Sequence, residues 1–323
     1  MTQAIYVEGL RKSFGSVHAV NGITLTVQQG EIFGLLGPNG AGKTTTIALL
    51  TGLARPDAGT IRILGTNTVA HPRGAQHLMG VVPDESNLYP ELSGLENLCF
   101  CAALYGLPRN QRIQRAWELL HSFGLAEAAH RKFGSYSKGM KRKLTIAAGI
   151  IHRPPILFLD EPTTGIDVAS ARHLRHIILE LGKSQTTIFL TTHYIEEAER
   201  LCHRIAFIVG GQILRTDTMD ALLEPEKDHY LLRVVCTTLP ADLDDAWAKA
   251  FPQLHCVPQD DHSLEITGTQ PIAVGPIVRF LEDLGAEVLE AQRRRFCLED
   301  VFVRETGLGV ETMDDAPSWR KTA

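Results

Sequence analysis

The chain has 323 residues, of which 44% are hydrophobic and 21% are charged, and its formal net charge is −5. This composition is typical of a globular protein, and the length suits one large domain together with a smaller one. The acidic balance argues against nucleic acid as a partner, and we expect neither a membrane-spanning segment nor a secretory signal.

The N-terminal part of the chain predicts several strands around one short helix. "IYVEGL" and "ITLTVQQGEIFGLLG" have the apolar patterns of strands, and a turn at Gln29–Gly30 divides the second segment into two. A helix is expected over "KTTTIALLTGL", with its end at Gly52. "TIRILG" and "MGVVP" predict two further strands, the second of which ends at Pro83.

The segment before this helix matches G-x-x-x-x-G-K-[ST], the pattern of a phosphate-binding loop. Glycines let backbone N–H groups point at phosphate oxygens, and the helix directs its positive end at the same anion. Lys43 is suited to neutralise the β- and γ-oxygens, and the Thr44 hydroxyl is suited to bind Mg²⁺. The loop residues predicted to bind nucleotide are Gly37, Pro38, Asn39, Gly40, Ala41, Gly42, Lys43, Thr44 and Thr45.

Residues 90–153 have the pattern of helices. In "RNQRIQRAWELLHSFG", Ile113, Trp117 and Leu120 recur at helical spacing, which predicts a buried stripe with Trp117 in the core. "SKGMKRKLTIAAGIIHRP" predicts a helix that stops before Pro154. Its basic start could indicate nucleic acid, but we interpret it as a solvated face or a contact to nucleotide, because no aromatic stacking pattern accompanies it.

Strands and helices then alternate from "ILFLD" to "RIAFIVGGQIL", which predicts parallel strands with helical crossovers. "ILFLDEP" ends an apolar strand with two carboxylates. We expect Asp160 to hold Mg²⁺ through water and Glu161 to polarise an attacking water molecule. A second carboxylate at this position favours hydrolysis over transfer of the phosphoryl group to a substrate hydroxyl.

Three downstream segments distinguish among phosphate-loop proteins: "YSKGMKRKL", "TTGIDVAS" and "LTTHYIEEAE". In this order and spacing, the chain resembles the nucleotide-binding subunit of ATP-binding-cassette (ABC) transporters over about residues 4–220. The resemblance implies an α/β fold, namely a P-loop ABC cassette with a RecA-like core, a β-rich N-terminal part and a helical subdomain over residues 90–153. It also implies an ATPase that binds ATP and Mg²⁺.

The family's signature, L-S-G-G-Q, falls on "YSKGM", where Ser137 and Gly139 match and Tyr136, Lys138 and Met140 depart. The resemblance implies that Ser137 contacts the γ-phosphate of ATP bound to the opposite subunit. The active form would then be a head-to-tail pair, with a second copy of this chain as the expected partner. The residues alone leave another interpretation open, in which Ser137 merely caps the following helix.

Further site residues follow from the resemblance. His193 matches the histidine that contacts the γ-phosphate, Asp167 matches the loop that crosses the dimer interface, and Phe14 matches the aromatic that stacks on adenine. The family's glutamine after the "MGVVP" strand falls at Asp84, which is a departure. A carboxylate could bind Mg²⁺ directly, so we expect Asp84 to be a ligand of both the metal and the nucleotide.

Because this chain is not expected to span a membrane, the resemblance implies that an integral membrane permease subunit forms the pore. The chain would then be a peripheral protein on the cytoplasmic face of the membrane. Candidates to receive a short helix of the permease are Leu88, Tyr89, Leu92 and Leu98. Burial in the core of the helical subdomain is the alternative for each of them.

A charged segment containing Pro225 predicts a boundary that separates residues 1–222 from a small α+β domain at 229–307. The strand–helix–strand order of "YLLRVVC", "ADLDDAWAKAF" and "SLEITG" predicts this second domain. Residues 308–323 form a polar tail that we expect to be disordered.

The closing "FCLEDVFVRETG" resembles the C-terminal end of ATPases of daunorubicin-resistance-type efflux exporters. This favours an exporter of drugs, lipids or polymers. The alternative is a soluble ABC ATPase acting on ribosomes or DNA, a class that usually has two cassettes, coiled-coil insertions or zinc-binding cysteines. The six cysteines here form no C-x-x-C pair. A P-loop kinase or GTPase would need neither the signature nor His193.

Overall fold

The computed structural model describes residues 2–224, 230–240, 243–294 and 297–308. These residues form two compact units, residues 2–218 and Met219–Gly307. The division therefore lies slightly before the predicted boundary at residue 222. The predicted tail at 308–323 lies outside the described residues, apart from Leu308.

The first unit contains ten strands, seven α-helices and two short 3-10 helices among its described residues. The strands are β1 (Gln3–Phe14), β2 (Val17–Gln28), β3 (Ile32–Leu36), β4 (Ala58–Ile63), β5 (Thr66–Asn67), β6 (Met79–Val82), β7 (Ile156–Asp160), β8 (Thr187–Thr192), β9 (Arg204–Val209) and β10 (Gln212–Thr218). The helices are α1 (Lys43–Leu50), α2 (Pro72–Gln76), α3 (Gly94–Leu104), α4 (Arg109–Ser122), α5 (Lys138–Gly149), α6 (Val168–Lys183) and α7 (Ile195–Leu201).

Two sheets organise this unit. An antiparallel sheet has the order β2-β1-β4-β5, and a six-stranded sheet has the order β10-β9-β3-β8-β7-β6. From β9 to β6 the strands of the larger sheet are parallel, and β10 pairs antiparallel at its edge. The fold thus confirms the predicted α/β class with a β-rich N-terminal part.

The central strands β3 and β7 are buried at every position, which explains their continuous apolar sequences. Phenylalanines of β3, β7 and β8 pack against one another in the core. The ring of Phe189 lies 5.6 Å from that of Phe33 and 5.7 Å from that of Phe158. Because β3, β7 and β8 are parallel, their carboxyl ends meet at one edge of the sheet, where ligands of open α/β sheets bind.

The buried face of helix α4 differs in part from the predicted stripe of Ile113, Trp117 and Leu120, because of these three only Leu120 is fully buried. Helix α4 buries Ala116, Leu119 and Leu120, whereas Ile113 is 57% exposed and Trp117 is only partly buried. Both sets of residues have helical spacing, so the pattern alone did not distinguish them. The small Ala116 suits the face that packs against α3 and α5, because it allows close approach of the helices.

The structure also corrects the candidate permease contacts in α3 and in the segment before it, because two of the four are buried. Leu88 and Leu98 are buried and belong to the core, whereas Tyr89 is exposed. The buried Asn97 fixes this segment, because its side-chain amide donates to the carbonyl of Tyr89 at 3.0 Å and accepts from the N–H of Tyr89 at 2.9 Å. Leu92 is partly buried.

The second unit is an antiparallel sheet of order β12-β13-β11-β14. Its elements are α8 (Met219–Leu223), β11 (Tyr230–Cys236), α9 (Leu243–Ala250), β12 (His255–Pro258), β13 (Ser263–Gly268), α10 (Val274–Asp283), β14 (Val288–Arg294) and α11 (Leu298–Thr306). Trp247, Leu232 and Ile277 belong to its core. The edge strand β12 was not predicted, since it is short, mostly exposed and ends in proline. No helix among the described residues of either unit has the length and apolarity to cross a bilayer.

Candidate active site

The loop between β3 and α1 requires glycine at two positions. A Cβ atom on Gly37 would lie 2.1 Å from the carbonyl oxygen of Ile208, and one on Gly42 would lie 2.2 Å from that of Ala19. Gly42 also has φ of 104°, a left-handed conformation that other residues rarely adopt. Only glycine therefore lets this loop pass so close to its neighbours while leading into the N-terminus of α1, whose first N–H groups have no partner within the helix.

Lys43 is buried and lies where the loop meets the sheet edge. Its ammonium group donates to the carbonyl of Gly37 at 2.7 Å and to that of Pro38 at 3.1 Å. It also forms an ion pair at 3.1 Å with Oε1 of Glu161. The loop thus holds the charge of Lys43 directly beside the Glu161 carboxylate, which immediately follows β7.

Glu161 contacts both Lys43 of the loop and His193, the residue that follows β8. Its Oε2 lies 2.5 Å from Nδ1 of His193 and accepts a hydrogen bond from the Thr164 hydroxyl at 2.9 Å. Burial raises the pKa of Glu161, but the hydrogen bond from His193 and the charge of Lys43 outweigh it, so the pKa lies below its ordinary value. The carboxylate is therefore ionised at neutral pH and can accept a proton.

Asp160 lies behind this group. It is buried, and its Oδ1 accepts a hydrogen bond of 2.5 Å from the hydroxyl of Thr191 on β8. The same hydroxyl accepts from the N–H of Glu161 at 3.2 Å. Thr191 thus orients the carboxylate of Asp160 and the backbone of Glu161, a role that sequence reasoning missed because threonine is common in strands.

A cavity of about 1000 Å³ opens over these groups. The predicted residues that line it are Phe14, Asn39, Gly40, Gly42, Lys43, Thr44, Thr45, Asp84, Glu161 and His193. The lining residues that were not predicted are Val17, His18, Ala19, Thr164, Tyr194 and Gly210. Tyr194 packs on His193 with ring centroids 3.9 Å apart, and the exposed Phe14 offers an aromatic face.

Asp84 lies on the wall of this cavity, after β6. Desolvation raises the pKa of the Asp84 carboxyl, and although the charge of Arg142 opposes this, the pKa remains above its ordinary value. The carboxylates of Asp160 and Glu161 act in the same direction as desolvation. A cation bound among the three would relieve their mutual repulsion.

The remaining predicted residues do not line the cavity. Gly37, Pro38, Ala41 and Asp160 support it from behind. Ser137, Gly139 and Asp167 lie outside the cavity. Ser137 and Gly139 are at the start of α5, and a Cβ atom on Gly139 would lie 3.3 Å from Oδ2 of Asp167. Ser137 caps α5 by accepting from the N–H of Met140 at 3.3 Å, and Asp167 caps α6 by accepting from the N–H of Ser170 at 2.8 Å.

Comparisons with known proteins identify the family of this fold. The family model described as ABC transporter matches residues 20–164. The chain is 35% identical over 314 residues to a doxorubicin resistance ATP-binding protein of Mycobacterium tuberculosis, covering 94% of this chain and 93% of that protein. It is 37% identical over 319 residues to the Nod factor export ATP-binding protein I of Ralstonia nicotianae, covering 95% and 94%. A linearmycin resistance ATP-binding protein of Bacillus subtilis is 41% identical over 214 residues, covering 66% and 69%.

Solved structures show the same fold. An ATP-binding subunit of an ABC transporter superposes with a TM-score of 0.63 at 30% identity, covering 69% of this chain and 92% of that one. A dimeric ATP-binding cassette bound to ADP and Pi superposes with a TM-score of 0.62 at 24% identity, covering 66% and 98%.

Proposed function

Because this chain belongs to the ABC transporter family, as an ATP-hydrolysing subunit of the exporter type, we propose that it acts as a head-to-tail homodimer docked on an integral membrane permease. The observation that carries the proposal is that the exposed Ser137 at the start of α5 lies outside the cavity where Lys43, Glu161 and His193 meet beneath the glycine loop. The soluble ribosome- or DNA-directed ATPase is disfavoured, since the relatives that match nearly the whole chain have names of resistance and export proteins.

The contacts suggest how hydrolysis proceeds. Phosphate oxygens of ATP attract Lys43, which weakens its ion pair with Glu161. The freed Glu161 carboxylate accepts a proton from water as the water oxygen attacks the γ-phosphorus, and ADP leaves. His193 donates to Glu161 from Nδ1, which holds that carboxylate in orientation during proton transfer.

The residues present fit Mg²⁺. Among the described residues, no cluster of three His, Cys, Asp or Glu could hold a metal ion alone. Mg²⁺ bound with a nucleotide needs only one or two carboxylates, because phosphates and waters complete its shell. We propose that the Thr44 hydroxyl and the Asp84 carboxylate bind it, with Asp160 acting through water. When bound, Mg²⁺ would neutralise the charge of the phosphates.

Asp84→Gln is expected to retain ATP hydrolysis within about tenfold of the parent, about 1.4 kcal/mol of barrier, because an amide oxygen can also reach Mg²⁺. Steady-state phosphate release with saturating MgATP measures this. Glu85→Gln, which changes the adjacent exposed carboxylate, is the matched control. A complete loss of activity in Asp84→Gln alone would mean that the negative charge itself is required.

The dimer completes the nucleotide site in this proposal. Ser137 is exposed at the start of α5 and does not line the cavity of its own chain. The N-terminus of a helix suits an anion, and in a head-to-tail pair this one faces the γ-phosphate held by the other copy. Asp167 then lies at the interface and links the two sites.

Exposed side chains beyond Asp84 form a candidate surface for the permease. Tyr89, Phe100 and Leu104 are all exposed, and the rings of Tyr89 and Phe100 meet edge to face at 5.2 Å. Exposed aromatics next to each other are typical of protein interfaces. We propose that a short helix of the permease packs here, which makes this chain peripheral on the cytoplasmic face of the membrane.

The double variant Tyr89→Glu with Phe100→Glu is expected to reduce recovery of the permease by about tenfold or more, because two charges enter an apolar contact. The measurement is affinity purification from detergent-solubilised membranes of the native host, followed by identification of polytopic proteins. Ile113→Glu, at an exposed apolar position on α4, is the matched control. Equal recovery with the double variant would refute this surface, and recovery of ribosomes or DNA by the parent would refute the exporter.

The names of the relatives refer to doxorubicin resistance, linearmycin resistance and Nod factor export. We accordingly propose that the cargo is a drug, a lipid or a polymer that leaves the cell. In this arrangement the cargo contacts the permease, and this chain supplies the work of closing and opening the dimer.

A further inference from the structure

Arg142 on α5 is a buried charge beside the candidate site, with 6% of its surface exposed. Its Nε donates to the carbonyl of Pro162 at 2.9 Å, and its Nη1 donates to the carbonyl of Asp84 at 2.9 Å. Its guanidinium also donates to the carbonyls of Pro83 and Asp160. All four acceptors belong to the main chain, so the contacts of Arg142 fix backbone position.

We infer that Arg142 is a positioning residue for ATP hydrolysis, which holds the backbone around Glu161 and Asp84 in the geometry that the reaction needs. This inference rests on the proposed function above. The guanidinium binds the carbonyls of the residues immediately before and after Glu161, which are Asp160 and Pro162. One rigid, planar group therefore fixes the backbone on both sides of the proposed base.

The backbone at Glu161 needs such support. Glu161 has φ of 50°, in the left-handed region that a non-glycine residue adopts at a cost in free energy. This conformation turns the carboxylate toward Lys43 and His193. Removing the two flanking hydrogen bonds allows the turn to relax, and the carboxylate then leaves its position beside the cavity.

The same helix also holds the segment after β6. Arg142 binds the carbonyls of Pro83 and Asp84, and the Thr145 hydroxyl donates to the Ser86 hydroxyl at 2.8 Å. The N-cap of helix α5 is Ser137, the residue proposed to contact the opposite nucleotide. Arg142 therefore links three regions of the proposed machinery: the Asp84 segment, the turn at Glu161 and the signature helix.

The charge of Arg142 is expensive to bury, and this argues for a specific role. Burial lowers the pKa of Arg142, whereas the carboxylates of Asp84 and Asp160 raise it. An arginine remains charged under all ordinary conditions, so its desolvation must be offset by hydrogen bonds. The Arg142→Lys variant keeps the charge but lacks the fork that reaches several carbonyls at once.

In steady-state ATPase assays, Arg142→Gln is expected to lower kcat by about 30-fold and Arg142→Lys by about tenfold, with KM for ATP changed less than about threefold. Arg115→Gln is the matched control, because Arg115 donates to the carbonyls of Ile150 and Ile151, both at 3.3 Å, and does not line the cavity. We expect its kcat to equal that of the parent. Thermal unfolding of all variants without nucleotide measures any common loss of stability.

Hydrogen exchange provides a readout that does not need activity. In nucleotide-free protein, the amide of Glu161, which donates to Thr191, should exchange about tenfold faster in Arg142→Gln than in the parent, since local opening becomes easier. Unchanged exchange together with kcat within twofold of the parent would overturn the inference, as would an equal loss of kcat in Arg115→Gln. If the parent itself hydrolyses no ATP, the proposed function fails, and the exchange data then test only whether Arg142 holds the backbone at Glu161.

Discussion

Glu161→Gln is expected to lower kcat for ATP hydrolysis by about 10²- to 10³-fold, because glutamine cannot accept the proton of the attacking water. The substitution keeps the size of the side chain, and Lys43 remains to bind the phosphates. ATP binding should therefore persist while turnover stops. In the proposed mechanism, a nucleotide that cannot be cleaved keeps the two copies closed around it.

Two measurements test this expectation. Phosphate release under steady-state conditions gives kcat, and light scattering after size exclusion with MgATP gives the mass of the particle. The variant should elute as a dimer with ATP and as a monomer without it. Glu118→Gln, at an exposed carboxylate on α4, is the control and should behave as the parent does. Hydrolysis at the parental rate would refute the assignment of Glu161 as the base.

A monomer in the Glu161→Gln protein with ATP, even when the permease is present, would refute the head-to-tail dimer. The two outcomes are separate, since a monomer with low kcat leaves the base assignment intact. The lowered pKa of Glu161 adds an expectation for the parent. The carboxylate keeps its proton-accepting form until the pH falls below the ordinary range of glutamate, so loss of kcat between pH 6 and 8 should not come from Glu161.

Lys43→Ala is expected to weaken ATP binding by about 100-fold and to reduce hydrolysis below detection, because no other group supplies a charge at that point of the loop. The substitution also leaves the buried Glu161 without its ion pair at 3.1 Å. Glu161 keeps its hydrogen bonds from His193 and Thr164, but removing one charged partner from a buried ion pair is destabilising, so the melting temperature should fall as well.

Isothermal titration with ATP and Mg²⁺ measures the affinity of Lys43→Ala, and calorimetry measures its unfolding. Lys183→Ala is the matched control, since this exposed lysine on α6 pairs with Glu180 in an exposed contact. It should match the parent in both measurements. An affinity within threefold of the parent for Lys43→Ala would contradict the proposed role of this lysine.

Much of the fold was readable in the sequence. The continuous apolar runs of β3 and β7 predicted buried parallel strands, and the glycine loop between β3 and α1 marked the point where a strand leads into a helix. Glu161 and His193 were predicted from short segments far apart in the chain, and they lie 2.5 Å apart through Oε2 and Nδ1. The structure brings the two side chains together, and their catalytic roles stay predictions, each of which depends on a local pattern at the end of one strand.

The errors concern surfaces that are decided by packing. Ile113 has the spacing of a core residue but is exposed, and Leu88 and Leu98 were candidates for a contact but are buried. An apolar side chain is compatible with core or interface, and its sequence neighbours do not say which element covers it. The packing of α3, α4 and α5 against one another determines which of these side chains are buried.

The sequence by itself determined the α/β class, the phosphate loop and the identity of the charged residues around it, because steric limits on glycine and the chemistry of carboxylate, amine and imidazole are properties of single residues. Only the tertiary structure decided that Thr191 orients Asp160 and that Arg142 binds carbonyls of two separate segments. Those contacts join residues distant in the chain. Every residue has a main-chain carbonyl, so the sequence does not show which carbonyl accepts a given hydrogen bond.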